Sequence, residues 1–183
     1  MSGLRVTTAQ TEELEPSQIA ELTVLCEAAF GESFASTWER VGPGLHVMGE
    51  LEGRVVTHAM VVDRRLYLGH EADVALDVGY VEHVATLPTV QSLGHGSATM
   101  RKVGDIIGEA FALGVLATGR NRFYEHLGWV TWAGATSVRM PDGERLRSPT
   151  HDGHVMILRT PRTPHDLELE APISVDWRSG DSW

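Results

Sequence analysis

The chain has 183 residues, of which 42% are hydrophobic, and Asp and Glu outnumber Lys and Arg by 25 to 15, for a net charge of −10. This length fits a single domain over residues 1–183, and no apolar run approaches the about 18 residues of a membrane span. The acidic balance repels nucleic acid and favours cationic partners, unless it serves solubility alone.

The N-terminus and the cysteine usage indicate the compartment. The stretch MSGLRVTTAQTEELEP is polar and acidic, unlike a signal peptide, so a cytoplasmic protein without a membrane partner is expected. Cys26 is the only cysteine, which excludes an intrachain disulfide and a cysteine metal cluster. It lies on an apolar helical face with Leu22 and Ala29, which favours an inert buried thiol over a nucleophile.

The first 44 residues predict a strand, a helix and an irregular stretch. Residues 4–8 suit a strand, and Pro16 suits the first turn of a helix that runs to about Phe30. Residues 31–44 contain glycines and a proline but no period, which indicates a loop or a broken helix. Such a loop either lines a substrate pocket or is a plain surface loop anchored by Phe34 and Trp38.

A meander of strands is predicted next. Leu45 to Leu51 and Arg54 to Leu68 are strand-like runs, and the Glu52-Gly53 pair between them is typical of a two-residue hairpin turn. A second turn near Gly69-His70 leads into a strand over residues 72–86. These strands should be antiparallel.

The segment from Gly79 to Gly114 reads as a strand, a glycine-marked turn and a long helix. Gly94 permits a turn with positive φ, and Gly96 lets a ligand approach the backbone. The helix N-terminus that follows could hold a pyrophosphate, although two glycines between a strand and a helix are more often plain turn chemistry. A Walker loop and a Rossmann fingerprint are both excluded, since neither Gly-Lys-Ser/Thr nor a third glycine is present. Val115 to Ala117 should then be a strand parallel to the one before the helix.

The last third predicts shorter elements. Asn121 can cap a short helix that ends at Gly128. Strands are expected over Trp129 to Met140, over His154 to Arg159 and over Leu167 to Val175, with a polar, turn-rich stretch at 141–153.

Several motifs resemble one family of acyltransferases. Gln91-x-x-Gly94-x-Gly96 resembles motif A of the GCN5-related N-acetyltransferases, and Tyr124-x-x-x-Gly128-Trp129 follows with the family's order and spacing. GYVEHVA at 79–85, LGVL at 113–116, FYEHLGW at 123–129 and above all the ending VDWRSGDSW resemble the aminoglycoside 2'-N-acetyltransferases within that superfamily. The resemblance implies an α/β fold with a mixed, mostly antiparallel central sheet flanked by helices, and coenzyme A in a V between two splayed parallel strands.

The activity that the resemblance implies is acetyl transfer from acetyl-CoA to the 2'-amine of an aminoglycoside, which confers antibiotic resistance. The reaction needs no metal, and none of the His residues has metalloprotease spacing. Members of the family are commonly homodimers. Two alternatives remain open: a protein or polyamine N-acetyltransferase, and a non-catalytic module that binds acetyl-CoA or the antibiotic.

The resemblance also implies roles for individual residues. Glu82 would be the base, through water, and Tyr124 the acid that serves the coenzyme A sulfur, with Trp183 beside them. The expected coenzyme-binding residues are Val84, Ala85, Thr86, Gln91, Ser92, Leu93, Gly94, His95, Gly96, Ser97, Asn121 and Tyr124. The expected substrate-binding residues are Glu32, Ser33, Trp38, Glu82, Asp152, Asp181 and Trp183, whose carboxylates would bind sugar ammonium groups by charge-assisted hydrogen bonds.

The sequence departs from the family pattern in two loops. The acidic loop before the meander is one residue shorter at Gly31 to Trp38, and Ala117-Thr118-Gly119 shortens the usual Leu-Ser-Ala/Ser. A smaller or less cationic aminoglycoside such as kasugamycin, which carries its own carboxylate, is therefore the expected substrate.

Overall fold

The structure is a computed structural model that describes residues 3–34, 36–69 and 74–183. The chain forms two units, one made of Met1–Val62 and Val81–Asp105 and the other of Asp63–Tyr80 and Ile106–Trp183. Two strands and one helix continue from one unit into the other: β3 (Arg54–Leu68), β4 (Val74–Thr86) and α3 (His95–Ala110). His70 and the first residues of the strand expected over 72–86 lie outside the described residues.

The first unit begins as its sequence predicts. Its other elements are β1 (Arg5–Gln10), α1 (Pro16–Phe30), α2 (Thr37–Val41) and β2 (Leu45–Leu51). Pro16 starts α1, and the side chain of Gln18 accepts a hydrogen bond from the backbone amide of Glu15 at 2.9 Å, which forms one side of a capping box. The helix ends at Gly31, whose φ of 75° is left-handed. The short α2 confirms a broken helix within 31–44.

The β2–β3 hairpin of the first unit confirms its predicted bounds. Glu52 and Gly53 both have positive φ, 51° and 80°, as a tight turn between right-twisted strands requires. β1 pairs with β2, and β2 pairs with β3, in both cases antiparallel. The core packed with this sheet contains Leu22, Leu25 and Cys26. Burial raises the pKa of the Cys26 thiol to about 12, which confirms the inert thiol.

The second unit contains a larger mixed sheet. Its further elements are β5 (Leu113–Ala117), α4 (Asn121–Glu125), β6 (Val130–Thr131), β7 (Thr136–Arg139), β8 (Arg145–Arg147), β9 (Val155–Arg159) and β10 (Ile173–Asp176). The strand order is β6-β9-β5-β4-β3-β10-β7-β8. β4 and β5 are parallel, with Val78 opposite Leu113 and Tyr80 opposite Val115, so the strand-turn-helix-strand prediction is confirmed. β7 and β10 form a second parallel pair.

The single strand expected over Trp129 to Met140 is wrong. The segment forms two strands that pair in different places, because β6 pairs with β9 and β7 pairs with β10 and β8. Between them the chain leaves the sheet, and a Cβ on Gly134 would lie 1.9 Å from the carbonyl oxygen of Ala171. The apolar residues of this segment are therefore buried before and after the point where the chain leaves the sheet, and they do not form one continuous strand.

The strand expected over Leu167 to Val175 is correct only in its last part, since β10 covers Ile173–Asp176. The preceding residues are irregular, and the carbonyl oxygen of Leu169 accepts hydrogen bonds from the amides of Ala133 and Gly134, each at 2.9 Å. Leu167, Leu169 and Ala171 nevertheless pack on the core of the unit. Alternate residues of this segment are buried although it does not pair with a neighbouring strand, and this alternation produced the misleading pattern.

No helix among the described residues combines the length and the apolarity that crossing a membrane requires.

Candidate active site

In the first unit, β4 bends at the residue after Glu82. His83 has a φ of 54°, a left-handed conformation that is uncommon for a residue with a Cβ and that breaks the alternation of a strand. Its carbonyl oxygen accepts a hydrogen bond from Nδ1 of His58 at 3.1 Å. Its ring lies edge-on to Phe34 and Trp38, with centroids 4.7 and 5.3 Å apart. Glu82 is partly buried directly beside this bend.

Two further residues, His46 and Thr11, continue the hydrogen-bonded chain from His58, and neither was predicted from the sequence. Nε2 of His58 lies 3.0 Å from Nδ1 of His46, whose Nε2 lies 3.0 Å from the hydroxyl of Thr11. Both histidines are fully buried. No local signal pointed to them: counted from the Glu52-Gly53 turn alone, Met48 would lie opposite Thr57. Only the register shift between Gly49 and Glu50 puts Met48 opposite His58 and so brings His46 and His58 to the same face of the hairpin.

The turn between β4 and α3 has the geometry that its glycines predict. Gly94 has a φ of 87°, and its carbonyl oxygen accepts the first helical hydrogen bond from the amide of Ala98 at 3.0 Å. The amides of residues 95–97 precede that bond and have no acceptor within the helix. The side chain of Gln91 donates to the carbonyl oxygen of Thr86 at 3.0 Å, which ties the exposed turn to the end of β4.

The acidic loop of the first unit separates into exposed and packed residues. Glu32 and Ser33 are exposed, whereas Phe34 is 4% exposed and its amide donates to the carboxylate of Glu27 at 3.0 Å. The indole nitrogen of Trp38 donates to the hydroxyl of Thr23 at 2.9 Å. The loop is thus anchored by both aromatic residues, and Glu32 and Ser33 present polar groups to solvent.

In the second unit, Tyr124 lies on α4 with 7% of its surface exposed. Burial raises the pKa of its hydroxyl to about 12, against the opposing effects of the Arg120 charge and a hydrogen bond with Thr118. A phenol with this pKa stays protonated at every physiological pH and serves as a hydrogen-bond donor. Thr118 directly follows β5 and so places the donor at the end of that strand.

Asn121 does not cap α4, so that prediction is wrong. It is the first residue of the helix, and its side-chain nitrogen donates to the hydroxyl of Thr131 at 2.9 Å and to the carbonyl of Gly153 at 3.0 Å. The hydroxyl of Thr118 accepts from the amide of Arg120 at 2.9 Å instead. The side-chain amide is drawn away because the neighbouring segments offer it two acceptors.

The carboxylate of Asp152 is engaged within the second unit. It lies 2.7 Å from Arg147, and it accepts hydrogen bonds from the amide and the hydroxyl of Thr136, both at 2.9 Å. Hydrogen bonds from Arg147 and Thr136 hold the pKa of this carboxyl well below its usual range. A sugar ammonium at Asp152 would have to share the carboxylate with a guanidinium.

The C-terminal segment folds back on itself and is buried. Trp183 is 5% exposed, and its amide donates to the carboxylate of Asp181 at 3.1 Å. Nε2 of His151 lies 3.4 Å from the same carboxylate, and its ring lies 6.4 Å from the indole of Trp183. The structure therefore brings Asp181 and Trp183 together and adds His151, which belongs to none of the motifs recognised in the sequence. The indole nitrogen of Trp183 is buried without a hydrogen-bond acceptor among the described residues.

Two arginines, Arg64 and Arg178, hold the C-terminal segment by hydrogen bonds to its backbone. Arg64 donates to the carbonyl oxygens of Ser182 at 2.6 Å and Asp176 at 3.0 Å, and its guanidinium lies 4.6 Å from the ring centre of Tyr80. Arg178 donates to the carbonyl oxygen of Asp181 at 2.7 Å. The family-like ending is thus an ordered part of the second unit.

A cavity of about 610 Å³ also opens in the second unit, beside Asp63, Arg65, Asp77 and Trp177. None of the predicted site residues lines it. Across the described part of the chain, no group of three or more His, Cys, Asp or Glu side chains could hold a metal ion.

Comparison with known proteins identifies the class. The chain matches the ribosomal-protein-S18-alanine N-acetyltransferase of Escherichia coli with a TM-score of 0.56 at 19% identity, covering 90% of this chain and 99% of that one. A GNAT acetyltransferase of Brucella melitensis in complex with acetyl-CoA matches with a TM-score of 0.56 at 16% identity, covering 93% and 94%. A GCN5-related N-acetyltransferase of Kribbella flavida matches with a TM-score of 0.57 at 18% identity over 73% of this chain, which spans only 35% of that protein. The fold is that of the GCN5-related N-acetyltransferases, as predicted.

The sequence comparison narrows the class to a family. No family model matches the chain. An aminoglycoside 2'-N-acetyltransferase of Mycolicibacterium fortuitum is 35% identical over 165 residues, which cover 87% of this chain and 82% of that protein. The chain belongs to the aminoglycoside 2'-N-acetyltransferase family and is an acyltransferase, which confirms the resemblance drawn from its motifs.

Proposed function

We propose that the protein transfers the acetyl group of acetyl-CoA to the 2'-amino group of an aminoglycoside and so confers resistance to it. The observation that carries this proposal is the 35% identity with the Mycolicibacterium fortuitum enzyme over most of both chains. The net charge of −10 adds support, because it favours the approach of a polycationic sugar.

Coenzyme A binding is proposed for the turn before α3 in the first unit. The amides at the start of this helix and its dipole favour the pyrophosphate. The hydrogen bond from Gln91 to Thr86 fixes the spacing between that turn and the strand end, where Val84 to Thr86 are proposed to pair with the pantetheine. His95 is partly buried at the first position of the helix and would add a donor to the phosphates.

Tyr124 is proposed as the hydrogen-bond donor to the coenzyme A sulfur. An ordinary thiol has a pKa of about 8.5, whereas that of the Tyr124 hydroxyl is raised to about 12. Complete proton transfer from this phenol to the thiolate is therefore unfavourable. The residue stabilises the developing negative charge by a hydrogen bond, and the thiolate takes its proton from solvent afterwards.

The amine is proposed to lose its proton to Glu82 through water, so that its lone pair attacks the thioester carbonyl. We propose that Asp181 and Glu32, both exposed, bind ammonium groups of the sugar, and that Ser33, Trp38 and Trp183 also contribute to substrate binding. Asp152 would serve mainly to hold Arg147 and Thr136. We further propose homodimers and a preference for a kasugamycin-like substrate, because of the shortened acidic loop.

The test is release of coenzyme A thiol across a panel containing tobramycin, gentamicin and kasugamycin. The expected result is turnover of an aminoglycoside by the wild type, and loss of turnover but retention of coenzyme binding by Glu82→Gln. A wild type that binds acetyl-CoA and releases no thiol with any amine would favour a binding module, and turnover of polyamines or peptides alone would favour another acceptor class. Equal turnover of kasugamycin and gentamicin would contradict the proposed preference.

A further inference from the structure

The left-handed bend at His83 requires a structural cause. A residue with a Cβ in this conformation costs about 1–3 kcal/mol and persists only where its surroundings enforce it. The His83 carbonyl accepts a hydrogen bond from a side chain, Nδ1 of His58, at 3.1 Å. His58 is therefore a buried polar group in direct contact with the bend.

A chain of hydrogen bonds runs from Thr11 through His46 and His58 to the carbonyl oxygen of His83. The direction of each bond follows from that carbonyl, which is the acceptor at the end of the chain. A carbonyl oxygen only accepts, so Nδ1 of His58 carries a proton and its Nε2 accepts. Nδ1 of His46 must then donate to that Nε2 across 3.0 Å, which leaves Nε2 of His46 to accept from the hydroxyl of Thr11. The same hydroxyl accepts from the amide of Gly44 at 3.0 Å, and it shares its single proton between His46 and the carbonyl oxygen of Gly44, which is also 3.0 Å away. Both histidines are neutral, and each has a single tautomer.

The chain of groups connects consecutive parts of the first unit. Thr11 directly follows β1, His46 lies on β2, His58 on β3 and His83 on β4. Trp38 covers these rings, with its centroid 5.5 Å from His46, 5.8 Å from His58 and 5.3 Å from His83. An oriented, desolvated network of this kind rigidifies the strands it joins. Because the last acceptor is a carbonyl, the network cannot relay a proton to Glu82, and its effect is on geometry.

We propose that His58, oriented by His46, is a positioning residue that fixes the bend at His83 and thereby the direction of Glu82. This inference rests on the proposed function, in which Glu82 is the base. A displacement of about 1 Å at a reacting group can lower a rate a hundredfold. Loss of the His58–His83 bond should therefore lower kcat out of proportion to its effect on stability.

Two substitutions at His58 separate the two hydrogen bonds. His58→Asn keeps a donor near the position of Nδ1, toward the His83 carbonyl, and loses the acceptor for His46. His58→Gln keeps an acceptor near the position of Nε2, toward His46, and loses the donor to His83. Each variant removes one buried hydrogen bond, so their stabilities should fall by similar amounts. Cys26→Ser is the control, because it places a polar group in the buried core elsewhere in the same unit.

The measurements are kcat with acetyl-CoA and an aminoglycoside, the melting temperature, and the 13Cα chemical shift of His83, which distinguishes left-handed from extended backbone. We expect His58→Gln to lower kcat at least about tenfold and to move the shift toward the extended range. His58→Asn should keep kcat within about threefold of the wild type, as should Cys26→Ser, with the shift of His83 unchanged in both.

Equal losses of kcat in the two His58 variants, or an unchanged His83 shift in His58→Gln, would overturn the proposal. A wild type that turns over no aminoglycoside would refute the proposed function alone. In that case the His83 shift in the two variants still decides whether His58 holds the bend.

Discussion

The guanidinium of Arg64 donates a hydrogen bond of 2.6 Å to the carbonyl oxygen of Ser182, which joins β3 to the C-terminal segment. A second bond, 3.0 Å long, runs from the same side chain to the carbonyl oxygen of Asp176. One arginine therefore holds both ends of the turn that contains Asp181. Ser182 is 7% exposed, so water competes poorly for the first of these bonds.

Replacing Arg64 should release this segment. Arg64→Met keeps the apolar stem but removes both bonds, each worth about 1.5–3 kcal/mol because the donor is charged. We expect a loss of unfolding free energy of about 3 kcal/mol, measured by urea denaturation, and greater protease sensitivity of the C-terminus. Arg65→Met is the matched control: its partner Asp77 is 3.5 Å away, both side chains are more than half exposed, and such pairs contribute less than about 1 kcal/mol. Equal losses in the two variants would contradict the assignment.

Tyr124→Phe should remove a catalytic hydrogen bond while keeping the packing of the ring. Loss of one such donor typically lowers kcat about a hundredfold, and the KM for acetyl-CoA should change little. Tyr67→Phe is the control, since its hydroxyl bonds to the exposed carboxylate of Asp176 at 3.1 Å. Steady-state thiol release measures both, and a kcat unchanged in Tyr124→Phe would exclude the proposed role.

The same tyrosine predicts how stability changes in alkali. The pKa of Tyr124 is about 12 in the folded protein and 10 as the model-compound value. Between these values the unfolded chain loses a proton that the folded chain keeps, so the free energy of unfolding falls as the pH rises from 10 toward 12. Denaturation at pH 8 and pH 10.5 should show a drop that is smaller in Tyr124→Phe. An identical drop in both proteins would mean that this phenol does not stay protonated.

His46 and His58 predict a loss of stability in acid. Burial lowers their pKa values to about 4 and about 3, whereas an unperturbed histidine titrates near 6.5. Below pH 6.5 the unfolded chain binds protons that the folded chain excludes, so the free energy of unfolding falls as the pH falls. At pH 5, about 1.5 units below the pKa of an unperturbed histidine, the fall is on the order of 2 kcal/mol per histidine. Urea denaturation at pH 7.5 and pH 5 should show the fall, and the double variant His46→Asn, His58→Asn should show less of it.

Two glycines should respond oppositely to alanine. Gly134→Ala puts a methyl group 1.9 Å from the backbone oxygen of Ala171, which the chain relieves only by moving. Such overpacking costs about 1–3 kcal/mol or more. Gly108→Ala meets nothing within 4 Å on α3 and should stabilise the protein by up to about 1 kcal/mol. Thermal unfolding of both variants tests this, and a neutral Gly134→Ala would refute the close approach.

The sequence predicted best where a local signal specifies the structure. The Glu52-Gly53 turn and the alternation on either side fixed β2 and β3 to the residue, and Pro16 and Gly31 marked the ends of α1. The glycines before α3 predicted the turn that precedes it, because glycine readily adopts the positive φ that Gly94 has in this turn. The expected strand over Trp129 to Met140 failed because pairing with β9 or with β10 depends on segments far along the chain.

The candidate site likewise has one part that the sequence could predict and one part that became visible only in the fold. The motifs around Gln91, Tyr124 and Trp183 are contiguous in sequence, so they could be recognised before the fold was seen, and the comparisons support the family they indicate. The network through Thr11, His46, His58 and the His83 carbonyl has no contiguous motif, because its members lie on different strands. The sequence by itself determined the family and the β-turn-α-β unit, and it supplied the candidates proposed as reactive groups. Only the tertiary structure decided which carboxylates are already paired and which side chain holds β4 bent, because burial and hydrogen-bond partners are set by residues that meet only when the sheet has formed.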